Sequence, residues 1–162
     1  MKKIFKLFIC IALFFVTLIF ICVGCGVVRS QSQEGFVTID KKQYEYRDAK
    51  DGSIYLSTDE GEMNICTMSK ENFAMYFKND DHTDYEIDVP IESAEQAASV
   101  GGKILNDTYE DWTEAGIVVY YNEEERLWIV LGERVSRDSN QQHIGLLVVD
   151  NTNGSVVVLQ LL

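Results

Sequence analysis

The stretch Ser93-Ala-Glu-Gln-Ala-Ala-Ser-Val-Gly-Gly-Lys-Ile-Leu-Asn-Asp107 decides the fold of the C-terminal part of this chain. Ser93, followed three residues later by Gln96, is a capping box, so the pattern predicts a helix from Ser93 to about Asp107. Its apolar positions recur every three or four residues and form one stripe of mostly small side chains. Gly101 and Gly102 each cost about 1 kcal/mol inside a helix, so packing rather than helix propensity must explain them. Small residues allow a helix to lie close against a sheet, and we expect that arrangement.

Four strand-like segments follow the predicted helix. Each is rich in β-branched and aromatic residues, and polar turns or loops separate them. The segments are residues 117–121, 126–131, 144–149 and 155–161. We therefore predict an α+β fold in which one main helix packs on a four-stranded antiparallel meander, both within residues 93–162.

Residues 36–92 form a β-rich N-terminal part. Four of its segments predict strands, because apolar and polar residues alternate along them. They are residues 36–46, 53–56, 63–67 and 85–89. Residues 69–78 fit either a short helix or a strand, and the spacing of Phe73, Tyr76 and Phe77 favours the helix.

The first 25 residues have the pattern of a bacterial export signal. Three lysines within the first six residues precede an apolar run, residues 7–23, which is interrupted only by Thr17. The run ends in Val23-Gly24-Cys25, which is similar to a lipobox. Cleavage before Cys25 would leave a lipid-bearing N-terminus.

Two kinds of anchor fit this segment. Cys22 stands where a lipobox usually has Leu, and the run is close to the roughly 20 residues that span a bilayer. We favour a lipoprotein signal peptide over an uncleaved transmembrane anchor. In both cases the lysines stay in the cytoplasm, residues 26–35 form a tether, and the domain is held outside the cell membrane.

The chain is acidic, with a formal net charge of −12. Without the lysines of the anchor segment the value is −15, which disfavours binding to nucleic acid. Such a charge suits a basic protein partner, although it also serves solubility. The carboxylates that we predict to contact a partner lie in two runs. They are Glu123, Glu124 and Glu125, together with Asp80 and Asp81.

No group of residues in the sequence indicates catalysis, a cofactor or a metal, so we expect that the protein is not an enzyme. His82 lies among Asp80, Asp81 and further acidic residues, but the spacing fits no calcium loop and lacks the glycine at its bend. A solvated acidic loop is the better interpretation. Cys66 falls in an apolar alternation and is expected to be buried. Trp128 is expected to lie in the core.

Several motifs occur together in the C-terminal part. An Ala-rich helix is followed by Tyr109, by a strand of the form W-x-V-x-G from Trp128 to Gly132, and by a closing hairpin at Asn153-Gly154. In these features residues 93–162 resemble the bacterial immunity proteins that have a nuclear-transport-factor-2-like (cystatin-like) fold. Many of those proteins are small and are secreted or lipid-anchored.

The resemblance implies a protein that binds and neutralises a cognate toxin by protein–protein contact, with no catalytic residue. Two other functions also fit the sequence. One is a structural or accessory envelope lipoprotein without a toxin partner. The other is an enzyme or small-molecule binder that uses the concave face of the sheet. The second would need polar groups on the inward face of the sheet, where the sequence predicts apolar residues.

Replacing Cys25 by Ala tests the anchor. If the segment is a lipoprotein signal, Cys25→Ala should abolish lipid labelling and leave an unprocessed precursor that stays in the membrane fraction. Labelling and electrophoretic mobility would be measured beside the wild type. Cys10→Ala, which lies in the apolar run but outside the lipobox-like motif, is the matched control. Unchanged labelling and mobility of Cys25→Ala would show that the segment is a plain transmembrane anchor.

Overall fold

The computed structural model describes residues 34–50, 54–58, 61–79, 85–109, 112–136 and 141–162. Their strands are β1 (Glu34–Ile39), β2 (Lys42–Asp48), β3 (Tyr55–Thr58), β4 (Gly61–Asn64), β5 (Trp112–Asn122), β6 (Leu127–Ser136), β7 (Gln142–Asp150) and β8 (Val156–Leu161). The helices are α1 (Lys70–Tyr76), α2 (Ala94–Thr108) and a short 3₁₀ helix (Ile65–Thr67). The predicted anchor and most of the predicted tether lie outside the described residues. None of the helices in the described part is long and apolar enough to cross a membrane.

Six strands form one mixed sheet in the order β1-β2-β5-β6-β7-β8, and β3 and β4 form a separate hairpin. Neighbours in the large sheet are antiparallel except for β2 and β5, which pair in parallel from Tyr46 opposite Ile117 to Asp48 opposite Val119. The α+β class is confirmed. The prediction of a four-stranded sheet is wrong, because β1 and β2 extend the meander β5–β8. The long connection from β2 to β5, which contains α2, allows the parallel pairing.

A two-residue turn separates β1 from β2. Asp40 and Lys41 have φ values of +47° and +69°, and Ile39 pairs with Lys42 on either side of them. This is the mirror-image turn that matches the right-handed twist of a hairpin, and Asn-Gly is its usual sequence. The chain has no glycine here, so the alternating pattern of residues 36–46 gives no sign of the turn.

Residues 61–77 contain a 3₁₀ helix where the sequence predicts the second half of a strand. The predicted strand 63–67 ends at Asn64, whose side-chain oxygen accepts a hydrogen bond from the Cys66 backbone N–H at 3.0 Å and starts the 3₁₀ helix. The predicted helix at 69–78 is confirmed as α1. The Ser69 hydroxyl caps it by accepting a hydrogen bond from the Asn72 N–H at 3.2 Å.

Residues 85–92 form an extended segment, which we call the strap. The expected strand at 85–89 is wrong, because side chains rather than another strand hold this segment. At one end the Tyr85 hydroxyl lies 2.8 Å from the Thr108 hydroxyl at the end of α2. At the other end Ile91 donates its N–H to the Asn151 side chain at 2.7 Å and accepts a hydrogen bond from the Trp128 indole at 3.1 Å.

The start of α2 confirms the capping prediction. The Ser93 hydroxyl accepts a hydrogen bond from the Gln96 N–H at 3.1 Å. The Gln96 side chain reaches back and accepts the N–H of Glu92 at 2.9 Å, one residue earlier than in the usual capping box. Helix α2 therefore begins at Ala94, close to where the sequence places it.

Helix α2 lies close against the sheet at Gly101. A Cβ atom added to Gly101 would lie 2.5 Å from Cγ1 of Val130 on β6. Gly145 on β7 makes room for Leu105, because an added Cβ would lie 2.8 Å from Cδ2 of that side chain. The expectation that small residues of the helix bring it close to the sheet is confirmed at Gly101.

Strands β6 and β7 are buried on both faces. On one face α2 and the strap cover a first core cluster of Val37, Ile39, Tyr46, Ile91, Ala97, Ala98, Ile104, Leu105, Ile117, Val119, Trp128, Val130, Leu147, Val149 and Leu159. On the other face β3, the 3₁₀ helix and α1 cover a second core cluster of Leu56, Ile65, Met68, Phe73, Phe77, Leu127, Ile129, Leu131, Leu146, Val148, Val157 and Val158. The double burial explains why the sequences of β6 and β7 contain continuous apolar runs.

The close approach at Gly101 predicts an unusual response to alanine. In an open helix Gly101→Ala would add about 1 kcal/mol of stability. Here the new methyl group meets Val130, so we expect a net loss of about 1–3 kcal/mol, measured by urea unfolding of residues 26–162. The same change in a Val130→Ala background should cost far less, because the shortened side chain leaves space. Equal stabilisation in both backgrounds would contradict the close packing.

Candidate partner-binding surface

The acidic turn between β5 and β6 is where the sequence predicts a partner contact. Glu123 and Glu124 are both exposed in it. The turn is held from within by Asn122, which is buried. Its side-chain oxygen accepts the Glu125 N–H at 3.1 Å, and its amide donates to the Met68 carbonyl at 3.2 Å. A fixed backbone therefore presents the two outer carboxylates to solvent.

Glu125 has a different role from its two neighbours. Its carboxylate accepts a hydrogen bond from the backbone N–H of Lys70 at 3.3 Å, and Lys70 is the first residue of α1. A carboxylate at the start of a helix satisfies a free N–H group and interacts favourably with the helix dipole. Glu125 thus supports α1, and a charge change there would alter the fold as well as the surface.

An ion pair joins α1 to the end of β7. The Lys70 ammonium lies 2.6 Å from the carboxylate of Asp150, which also accepts the Thr152 N–H at 2.8 Å. Burial acts to raise the pKa of Asp150. The hydrogen bonds from Lys70 and Thr152, together with the charge of Lys70, outweigh burial and hold this pKa below its ordinary value.

Two exposed apolar residues at the end of α1 extend this surface. Met75 is 72% exposed and Tyr76 is 49% exposed, whereas Phe73 on the same helix is fully buried. The 3.6-residue period of α1 turns Phe73 and Phe77 towards the second core cluster and leaves Met75 and Tyr76 outside. We define the α1 surface as Glu71, Met75, Tyr76, Glu123 and Glu124.

The sequence did not identify Met75 and Tyr76 as surface residues, because two apolar patterns overlap in residues 69–78. A strand would bury Met75 together with Phe73 and Phe77, whereas a helix exposes it. Only the Ser69 cap, once taken with the helical spacing, could have pointed to the exposed pair.

Arg134 is a second residue whose role the sequence does not indicate. It is the largest of the fully buried side chains in the described part of the chain, and it lies on the α2 side of β6. Its guanidinium donates to the Tyr109 carbonyl at 2.9 Å and to the Asn106 side chain at 3.4 Å, and it lies 5.3 Å from the centre of the Tyr109 ring. Tyr109 ends α2, so the cation faces the negative end of the helix dipole.

The sequence predicts that the inward face of the sheet is apolar, and this prediction is wrong at one position. Arg134 follows Trp128, Val130 and Gly132 along the same side of β6. Two of its nitrogens are directed at the end of α2 rather than at open space. The arrangement fastens the helix to the sheet.

The other residues that the sequence singles out lie either outside the described residues or in the core. Cys25, Asp80, Asp81 and His82 lie outside the described residues. Cys66 is buried, as expected, and so is Trp128, whose ring centre lies 4.7 Å from that of Tyr121. Within the described segments, no group of three or more His, Cys, Asp or Glu side chains could hold a metal ion.

The Asp150–Lys70 pair predicts a pH-dependent stability. A carboxylate whose pKa is lowered by folding stabilises the protein above the ordinary pKa of 3.8, and that contribution is lost as the pH falls through the lowered value. Asp150→Asn should cost about 1 kcal/mol at pH 7 and less at pH 3. Urea unfolding of both proteins at the two pH values measures the difference. A cost that is the same at both values would show that the charge of Asp150 is unimportant.

Comparison of the chain with protein-family models, with curated proteins and with solved structures finds no significant match in any of the three.

Proposed function

We propose that this chain is a membrane-anchored extracytoplasmic binding protein that neutralises a cognate protein toxin by direct contact, as do the immunity proteins that its sequence resembles. The observation that carries the proposal is the α1 surface. There, exposed Met and Tyr side chains at one end of α1 accompany exposed carboxylates near its other end.

The composition of the α1 surface supports a protein partner. Met and Tyr are enriched in the centres of protein–protein interfaces, where Tyr buries a large area at a low cost in side-chain entropy and the flexible Met adapts to the shape of a partner. The carboxylates of Glu71, Glu123 and Glu124 are suited to a basic partner. In a domain with a net charge near −15 they would also speed its approach.

The anchor is the second part of the proposal. Residues 1–25 serve as the lipoprotein signal or transmembrane anchor, and the domain that begins at β1 faces the outside of the cell membrane. Helix α2 and the meander β5–β8 lie within residues 93–162, the part whose sequence resembles the immunity proteins, and β1 and β2 extend the same sheet. A toxin neutralised at this position would be one that reaches the cell from outside.

Charge reversal at two residues tests the acidic part of the surface. The soluble domain, residues 26–162, would be used to capture a partner, and the association rate would be measured by surface plasmon resonance. Glu123→Lys combined with Glu124→Lys should slow association about tenfold or more at low salt, and added salt should reduce the difference. Glu125 stays unchanged, because it supports α1.

A matched control separates this surface from the overall charge. Glu86→Lys combined with Asp88→Lys changes the net charge equally, on exposed residues of the strap. If both pairs slow association equally, net charge alone steers the partner. If neither pair has an effect, the contact lies elsewhere, and Asp80 and Asp81 are then the next carboxylates to test. If no partner is captured, an accessory envelope lipoprotein becomes the better explanation.

A further inference from the structure

Strand β1 forms one edge of the large sheet, and none of the described strands lies on its outer side. Its middle, residues 35–39, is Gly-Phe-Val-Thr-Ile and contains neither a charge nor a proline. Natural sheets usually protect an edge with one of these, since an open edge pairs readily with another strand. The Phe36 side chain is 63% exposed on this strand.

The hydrogen-bonding pattern between β1 and β2 shows which backbone groups of β1 point away from β2. Ile39 and Lys42 flank the two-residue turn and form a hydrogen-bonded pair, so the alternate pairs in this antiparallel hairpin are also hydrogen-bonded. The residues between them, Glu34, Phe36 and Thr38, direct their N–H and C=O groups away from β2. These groups form a row of donors and acceptors along the outer side of β1.

The opposite edge of the sheet is protected. On β8 the Leu159 N–H donates to the Asn79 side chain at 2.8 Å, and the Gln160 side chain accepts the Lys78 N–H at 2.9 Å. The chain that follows α1 thus covers β8. Of the two edges of the large sheet, β1 is therefore the more open one in the described part of the chain.

Space for a further strand exists beside β1. A groove of about 520 Å³ lies between residues 36–38 and the first turns of α2, where Ser93, Glu95, Gln96 and Ser99 line it. A strand added at this edge would lie partly beneath α2, as β1 itself does.

The charge around β1 favours a second copy of the chain over a basic partner. Residues 34–50 contain four basic and four acidic residues, whereas the rest of the chain from residue 51 has 22 acidic and only 6 basic ones. The hairpins of two copies therefore meet without net repulsion between them, although Glu95 adds one negative charge to the groove of each copy. A basic partner gains most at the acidic surfaces elsewhere.

We propose that the β1 edge pairs with the β1 edge of a second copy, antiparallel and centred on Phe36. In this register Phe36 lies opposite its own copy, and Glu34 lies opposite Thr38. All the outward N–H and C=O groups of these residues then find partners. The two Phe36 rings lie side by side on one face, where a cross-strand aromatic pair adds stability.

Membrane anchoring is compatible with this pairing. Only eight residues, 26–33, separate Cys25 from β1, so each tether reaches at most about 30 Å. In the paired strands the two Glu34 residues lie about 15 Å apart, which both tethers span from one membrane. Confinement to a membrane also raises the effective concentration of the second copy. This step rests on the proposed anchor, whereas the edge itself does not.

The test uses the full chain in detergent micelles and in lipid nanodiscs, with mass determined by light scattering and sedimentation. The wild type should be a dimer. The dimer fraction should rise with salt, because salt screens the repulsion between two acidic domains. This trend is opposite to that expected for a basic partner, so the two proposals can fail independently.

Two edge variants identify the contact. Phe36→Lys places a charge on the edge, and Thr38→Pro removes only an outward N–H, which β1 can lose without breaking its ladder with β2. Each should raise the dissociation constant of the dimer about tenfold or more while leaving the circular dichroism melt unchanged. Gln43→Lys, on β2 and on the same face as Phe36, is the matched control and should leave the dimer intact.

Three results would overturn the proposal. The first is a wild-type chain that stays monomeric at all concentrations. The second is a dimer that survives both Phe36→Lys and Thr38→Pro with the fold intact. The third is loss of the dimer in Phe36→Lys and Gln43→Lys but not in Thr38→Pro, which would indicate contact through the face of the sheet rather than through its edge.

Discussion

The burial of β6 and β7 on both faces is the constraint on which the rest of the structure depends. Two strands with continuous apolar runs need a cover on each side, and no single helix can supply both. Helix α2 and the strap provide one cover, and α1 with the β3–β4 hairpin and the 3₁₀ helix provides the other. The described elements upstream of Ser93 that supply these covers are therefore integral to the core. Without them Leu127, Ile129 and Leu146 would face water.

The sequence was most informative where a local interaction decides the structure. The Ser93 cap and the glycines of α2 predict both the helix and its close packing, because capping and steric fit act over a few residues. The second cover could not be predicted, because an apolar run does not show what packs on its other face. The Asp40–Lys41 turn and the strap escaped prediction for related reasons. The turn lacks the usual glycine, and side chains from distant residues hold the strap.

The candidate surface also combines features that local sequence predicts with features that depend on distant contacts. Glu123 and Glu124 are exposed as a charged turn predicts, whereas the contact between Glu125 and the start of α1 joins residues 55 positions apart. Arg134 is hidden in the sequence because an arginine near the end of a strand is usually exposed. Its burial depends on where α2 ends, and hence on Tyr109 and Asn106, which are distant in sequence.

The parallel pairing of β2 with β5 has a consequence for how the chain folds. Tyr46 and Ile117 are neighbours in the sheet but are 71 residues apart in sequence, whereas each of the pairs β5–β6, β6–β7 and β7–β8 closes a short loop. Loop closure over so long a segment is entropically costly until the intervening chain is ordered. The meander can thus form first, α2 can dock next, and the β1–β2 hairpin can join last. If the chain is exported from its N-terminus, the β1–β2 hairpin emerges first but is the last to join the sheet.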